Sequence, residues 1–281
     1  MDSLKPILVH IHVFYSYLWE EIQECVQQIP YKFELFVTLA EQCTDIYEEI
    51  KEAFPRANIK VVKNLGYDVG PFIDLLSEVD LDNYSFVLKL HTKRDMPNGA
   101  KLKYFDVSGS KWRDYALSSF RTRHNFEKCI NKFSKNKKLG MIANYHLVLR
   151  KEYFDKPAAG KAKQYAQILG YYPKKYIFVA GTMFLCKAVL LKPIQKLNFK
   201  IEDFEIPDQN HKNSSLAHVM ERLFGILVVS QGFKIQDALS IDNGFFYRKY
   251  FDILNFIYSK KLNSKGKLRI KIFKIPIYCQ R

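Results

Sequence analysis

Residues 7–14 form an almost unbroken apolar run, the pattern of a strand buried on both faces. Residues 17–28 follow with Leu18, Ile22 and Cys25/Val26 at helical spacing. Residues 33–39 read as a second strand, 45–54 as a helix stopped by Pro55, and 59–63 as a third strand. Residues 71–77 begin another helix, with proline at a permitted first-turn position, and 84–90 read as a fourth strand. Strand and helix thus alternate with short joins. That alternation predicts βαβ units, an α/β fold and a mainly parallel central sheet. Further on, 121–175 reads as helical and basic, and 174–185 as strand. Residues 215–224 read as a helix capped by Gly225, with short strands at 226–229 and 233–235.

Composition narrows the classes. A chain of 281 residues that is 48% hydrophobic and 15% aromatic has ample core material and is not disordered. No stretch approaches the roughly 18 apolar residues of a spanning helix. The first apolar run is broken by His10, His12 and Ser16 with no small-residue cleavage site after it, so no secretory leader is expected. Five scattered cysteines, none in a CxxC pair, suit reduced thiols and a cytoplasmic setting.

The net charge of +15 is local. Residues 245–281 carry ten Lys/Arg against Asp252, and residues 121–139 carry seven against Glu127, while the rest of the chain is balanced. Such patches face a polyanion, whether an anionic membrane, a phosphate-bearing substrate or nucleic acid, unless they are ordinary solvated faces and Lys-guarded edge strands. The tail interleaves its cations with aromatic and aliphatic residues, which favours a membrane interface. A nucleic-acid-binding protein using both patches is the alternative. It has no RNP, KH or zinc-finger pattern behind it.

Candidate chemistry sits just after the strands, where open α/β sheets bind ligands. The third strand runs into Asn64-Leu65-Gly66-Tyr67-Asp68-Val69-Gly70-Pro71, a turn able to bring backbone N–H groups close to a ligand, with Asp68 placed for ribose or base hydroxyls. As a loop carboxylate, Asp68 is expected to contribute little to the core. The fourth strand ends in Lys89-Leu90-His91-Thr92-Lys93, whose period of two puts Lys89, His91 and Lys93 on one face as a positive site suited to a diphosphate. Trp112-Arg113 suits phosphate and sugar contact, and Ala180-Gly181-Thr182 is a small step in a strand where a ligand or backbone approaches closely. On the late helix, His218, Glu221 and Arg222 share a face, with Glu221 as a general base oriented by the other two. Asp80-Leu81-Asp82 precedes the fourth strand and reads as a turn cap rather than a metal motif. No His/Cys cluster has metal-ligand spacing.

Taken in order, these motifs, with the opening His12, Tyr15 and Leu18-Trp19-Glu20-Glu21-Ile22, resemble the rhamnan synthesis protein F family over roughly residues 5–240. The resemblance implies a bacterial glycosyltransferase of cell-surface polysaccharide assembly, similar to GT-A enzymes in its α/β nucleotide-sugar-binding sandwich. It implies a donor such as dTDP-rhamnose and a lipid-linked glycan acceptor at the inner face of the cell membrane. Residues 1–244 are then the GT-A-like domain and 245–281 a basic, membrane-proximal extension. Asn64, Gly66, Asp68, Gly70, Lys89, His91 and Lys93 would hold the donor. Trp112, Arg113, Gly181 and Thr182 would line the donor or acceptor cleft. The Asp-x-Asp metal motif of GT-A enzymes is replaced here by Lys89–Lys93, so no metal cofactor is expected, with Mg²⁺ or Mn²⁺ left open. The Asp-Gly common before the family's late helix is here Asn213-Ser214. The base role therefore passes to Glu221, or to Asp208.

Overall fold

The computed structural model describes residues 4–95, 101–102, 105–106, 110–150, 156–207, 215–262 and 268–279. The first apolar run becomes β1 (Ile7–Val13), buried at every position as a central strand requires. After it come α1 (Trp19–Gln27), β2 (Phe33–Ala40), α2 (Tyr47–Ala53), β3 (Asn58–Val62), α3 (Val69–Glu78) and β4 (Phe86–His91). β1 pairs in parallel with β2 and β4, and β3 extends the sheet beyond β2. Asp80 accepts the Asp82 N–H at 2.9 Å and caps the turn before β4, as its sequence position implies.

The second half completes the sheet. A short ribbon of β5 (Lys101–Leu102) and β6 (Phe105–Asp106) precedes α4 (Lys111–Leu117), α5 (Arg123–Lys135) and β7 (Leu139–Ile142). β8 (Val148–Arg150), α6 (Lys156–Ile168), β9 (Ile177–Val179), β10 (Phe184–Lys187), α7 (Lys192–Gln195), α8 (Leu216–Ser230) and β11 (Lys234–Gln236) follow. The order is β11-β7-β10-β4-β1-β2-β3, and β10 alone runs against the other six. The expected α/β class and mainly parallel central sheet are therefore present.

Three expectations are corrected. The basic 121–175 segment is not helical throughout. The fully buried Leu139–Ile142 enters the central sheet as β7, and β8 pairs with β9. The strand expected over 174–185 is two strands, broken where Gly181 and Thr182 take left-handed φ values of 79° and 52°. Gly225 does not cap a helix, because α8 continues through residues 226–229. A Cβ at Gly225 would lie 2.2 Å from the Ile177 carbonyl oxygen and 2.6 Å from the Phe178 Cα. The missing side chain lets α8 press on the backbone of β9.

The extension from residue 245 forms α9 (Phe245–Ile257) and an antiparallel meander of β12 (Tyr258–Leu262), β13 (Leu268–Ile272) and β14 (Ile275–Cys279). On α9, Phe246, Tyr250, Ile253 and Ile257 fall on one face at helical spacing, and all are exposed. Among the described residues, no helix is long and apolar enough to cross a membrane.

Candidate active site

The carboxyl ends of β3 and β4, the turn before β10 and the first half of α8 enclose a cleft of about 390 Å³. Asp68, Lys93, Trp112, Gly181, Thr182, His218, Glu221 and Arg222 all line it. Eight sequence-selected residues from five separated segments thus meet in one place.

The turn after β3 fixes Asp68. Gly66 and Tyr67 take left-handed φ of 66° and 57°, a conformation costing a non-glycine residue about 1 kcal/mol at Tyr67. Gly66 presses on Phe204, and Gly70 on the Leu65 carbonyl, where a Cβ would come within 2.5 and 2.2 Å respectively. Their N–H groups donate to the carbonyls of Glu205 and Gly66, each at 3.0 Å. Neither glycine lines the cleft, nor does Asn64. The glycines serve the turn's own packing and present Tyr67 beside Asp68 to the cleft, where the Tyr67 ring meets His218 edge-on at 5.8 Å.

Asp68 is a counter-ion. Lys89, fully buried on β4, donates to its carboxylate, and so does the Thr182 hydroxyl. Lys89 also donates to Thr182 Oγ1 at 2.9 Å, and His91 Nδ1 lies 3.4 Å from Asp68 Oδ2. Burial disfavours the Asp68 charge, but His91 and Lys89 outweigh it and hold the carboxyl well below the usual carboxylate range. The expectation that Asp68 contributes little to the core is therefore overturned. Burial pushes the His91 imidazole down to about 3 and that of His12 down to about 4. His10 and His12 both lie against Thr38 Oγ1, at 3.1 and 3.0 Å, and His10 also titrates well below its ordinary value because it is buried.

Of the three groups expected to form a cationic site, only Lys93 lines the cleft, 6.0 Å from the Trp112 ring centroid. Lys89 and His91 lie beneath it, one engaged by Asp68 and the other neutral. The end of β4 does not fit a divalent cation, because Lys89 and Lys93 repel one and Asp68 is already matched by Lys89. Arg113 also departs from expectation. Its guanidinium pairs with Glu21 and, at 2.5 Å, with Asp95, while donating to the Lys93 carbonyl at 3.0 Å. It holds the β4 end in place and does not line the cleft.

Glu221 is fixed from two sides. Its Oε1 accepts the Gly181 N–H at 2.8 Å, and its Oε2 accepts from Arg222 at 2.6 Å. Arg222 also donates to the His218 carbonyl at 2.9 Å and lies 4.9 Å over the Phe178 ring. His218 Nδ1 is 2.7 Å from the Ser215 hydroxyl. The left-handed turn at Gly181 is what aims its N–H at Glu221, and a Cβ there would meet Trp112 at 2.9 Å. Each carboxylate oxygen keeps lone-pair capacity after these bonds, so the group can still accept a hydroxyl proton. Asp208 and Asn213-Ser214 lie outside the described residues. Leu149 and Phe178 also line the cleft. In sequence they read as ordinary core apolar residues.

Among the described residues no group of three His, Cys, Asp or Glu side chains is arranged to hold a metal ion. Residues 1–233 match the family described as "Rhamnan synthesis protein F". Two relatives, each called "Uncharacterized protein WxcX" and from two strains of Xanthomonas campestris pv. campestris, are 22% identical over 230 residues, or 81% of this chain. The chain spans about a third (32%) of the length of these curated relatives. The crystal structure of S. aureus TarS 1-349 is similar at a TM-score of 0.39 and 10% identity, over 79% of this chain and 55% of that one. With its match running from β1 through α8 and so spanning every element that lines the cleft, the chain belongs to the rhamnan synthesis protein F family.

Proposed function

We propose that the chain is a GT-A-like glycosyltransferase that moves a sugar, rhamnose or one similar, from a nucleotide-sugar donor such as dTDP-rhamnose to a lipid-linked or cell-surface glycan. The observation that carries this reading is the Glu221 carboxylate, held by Gly181 and Arg222 at the wall of a cleft that also presents Lys93, Trp112 and Tyr67. Glu221 takes the proton of the acceptor hydroxyl as it attacks the anomeric carbon, giving inversion. A positioned base of this kind contributes on the order of 10²–10⁴ in rate. Lys93 stabilises the departing nucleoside diphosphate, a fixed cation aimed where charge develops. Trp112 and Tyr67 offer faces to sugar or base. Asp68, Lys89 and Thr182 keep the floor rigid.

Membership of the rhamnan synthesis family supports the glycan chemistry, and the exposed apolar face of α9, with Lys249 beside it, supports a peripheral membrane setting on the cytoplasmic side. A thermal-shift screen against nucleotide sugars, with and without EDTA, tests the donor. A specific donor at 100 times its Kd stabilises the fold by about 2.7 kcal/mol. One nucleotide sugar should raise the melting temperature, equally in EDTA, and Lys93→Ala should blunt the rise. No response to any nucleotide sugar would contradict the reading.

A further inference from the structure

β8 and β9 form a two-strand ribbon whose faces look into different cavities. Strand alternation turns the paired Leu149 and Phe178 toward the cleft described above. The next pair, Arg150 and Ile177, and the neighbouring Val148 face the other way, into a second cavity of about 440 Å³. Ile177, Val148 and Phe233 give it an apolar wall, and the exposed Arg150, Lys175 and Lys234 stand around it.

Among the described residues, none of these three cations is in an ion pair. The carboxylate that lines the cavity, Asp237, is buried and accepts the N–H groups of Tyr145, Leu239 and Ser240. Those bonds tie it to its own loop and to the β7–β8 connection. Arg248 also lines the cavity, where it donates to the carbonyls of Tyr145 and Asn243. Arg248 belongs to α9, so the cavity opens where the catalytic body meets the helix with the exposed apolar face.

Converging like charges at a concave surface repel one another, and an anion relieves them. An apolar wall behind them does nothing for a bare phosphate or a nucleic-acid backbone, but it matches a hydrocarbon chain. We propose that this cavity binds a phosphate-bearing amphiphile, its phosphate on Arg150, Lys175 and Lys234 and its chain against Val148, Ile177 and Phe233. The phosphate comes from a polyprenyl phosphate or from a membrane phospholipid. Binding is separate from the chemistry at Glu221, because the ribbon stands between the two cavities.

Calorimetric titration of the full chain at physiological salt tests this with four probes: farnesyl phosphate, dihexanoyl phosphatidic acid, inorganic phosphate and farnesol, the amphiphiles kept below micelle formation. At least one phosphate amphiphile should bind tenfold or more tightly than inorganic phosphate or farnesol. The tighter of the two identifies the isoprenoid or the phospholipid source. The triple variant R150A/K175A/K234A, all at exposed positions, should weaken binding at least tenfold, while Lys93→Ala in the other cleft leaves it unchanged. Circular dichroism of the triple variant checks its fold. Inorganic phosphate binding as tightly as both amphiphiles would overturn the proposal. So would a folded triple variant that keeps its affinity, or loss of binding in Lys93→Ala.

Discussion

Lys89 on β4 and Asp68 on the β3–α3 turn form an ion pair beneath the cleft, with the ammonium fully buried and the carboxylate at the cleft floor. Thr182 is hydrogen-bonded to both, so three distant segments are joined at one point. Removing one partner of a buried pair leaves the other without compensation, which typically costs about 3–5 kcal/mol. Asp68→Asn should therefore lower unfolding stability by about that much in urea denaturation. Replacing both partners, as Asp68→Leu with Lys89→Met, should recover most of the loss, since apolar substitutes for a buried pair are often neutral. A stability unchanged in Asp68→Asn would contradict the pairing.

That pair also marks the limit of what the sequence displays. Lys89, His91 and Asp68 stand out as polar residues at strand ends, and their convergence follows from the βαβ pattern. Nothing local states that Lys89 reaches a carboxylate 21 residues back instead of a ligand. The glycines are hard to read for a related reason. Gly66, Gly70 and Gly225 each answer to a neighbour distant in sequence or to a carbonyl within the turn, and glycine alone does not reveal what approaches it. β7 is hard to read because Leu139-Gly140-Met141-Ile142 comes three residues after a lysine-rich helix and is too short a run to display a period of its own. The shared face of His218, Glu221 and Arg222, by contrast, is legible, because it lies within five residues of one helix.

The buried histidines predict acid sensitivity. His12 and His91 titrate at about 4 and about 3 when folded, against about 6.5 in an unfolded chain. Between those values the unfolded chain binds more protons, so stability is full above pH 6.5 and falls as pH drops. Each group removes roughly 2 kcal/mol by pH 5. Asp68, depressed below its ordinary value, adds a further loss only below about pH 4. Urea midpoints measured from pH 7.5 to 5 should therefore decline steadily. A flat profile would contradict the buried, neutral state of these rings.

The apolar face of α9 predicts vesicle binding through its side chains as well as its charge. The triple substitution F246S/Y250S/I253S removes three exposed apolar groups from one helix face while leaving every lysine in place. Co-sedimentation with anionic vesicles should fall at least tenfold at physiological salt, with melting temperature changed little. Undiminished sedimentation would mean that charge alone, or another surface, makes the contact.

Glu221→Gln most directly tests the proposed role of Glu221 as the base of a glycosyl transfer, once a donor has been found. The amide keeps an oxygen for the Gly181 N–H but cannot take a proton. Turnover with that donor and its glycan acceptor should fall by about 10²–10⁴. Donor affinity, measured by titration on the same preparation, should stay within about threefold of the parent chain. Near-parental turnover in the folded variant would contradict the assignment.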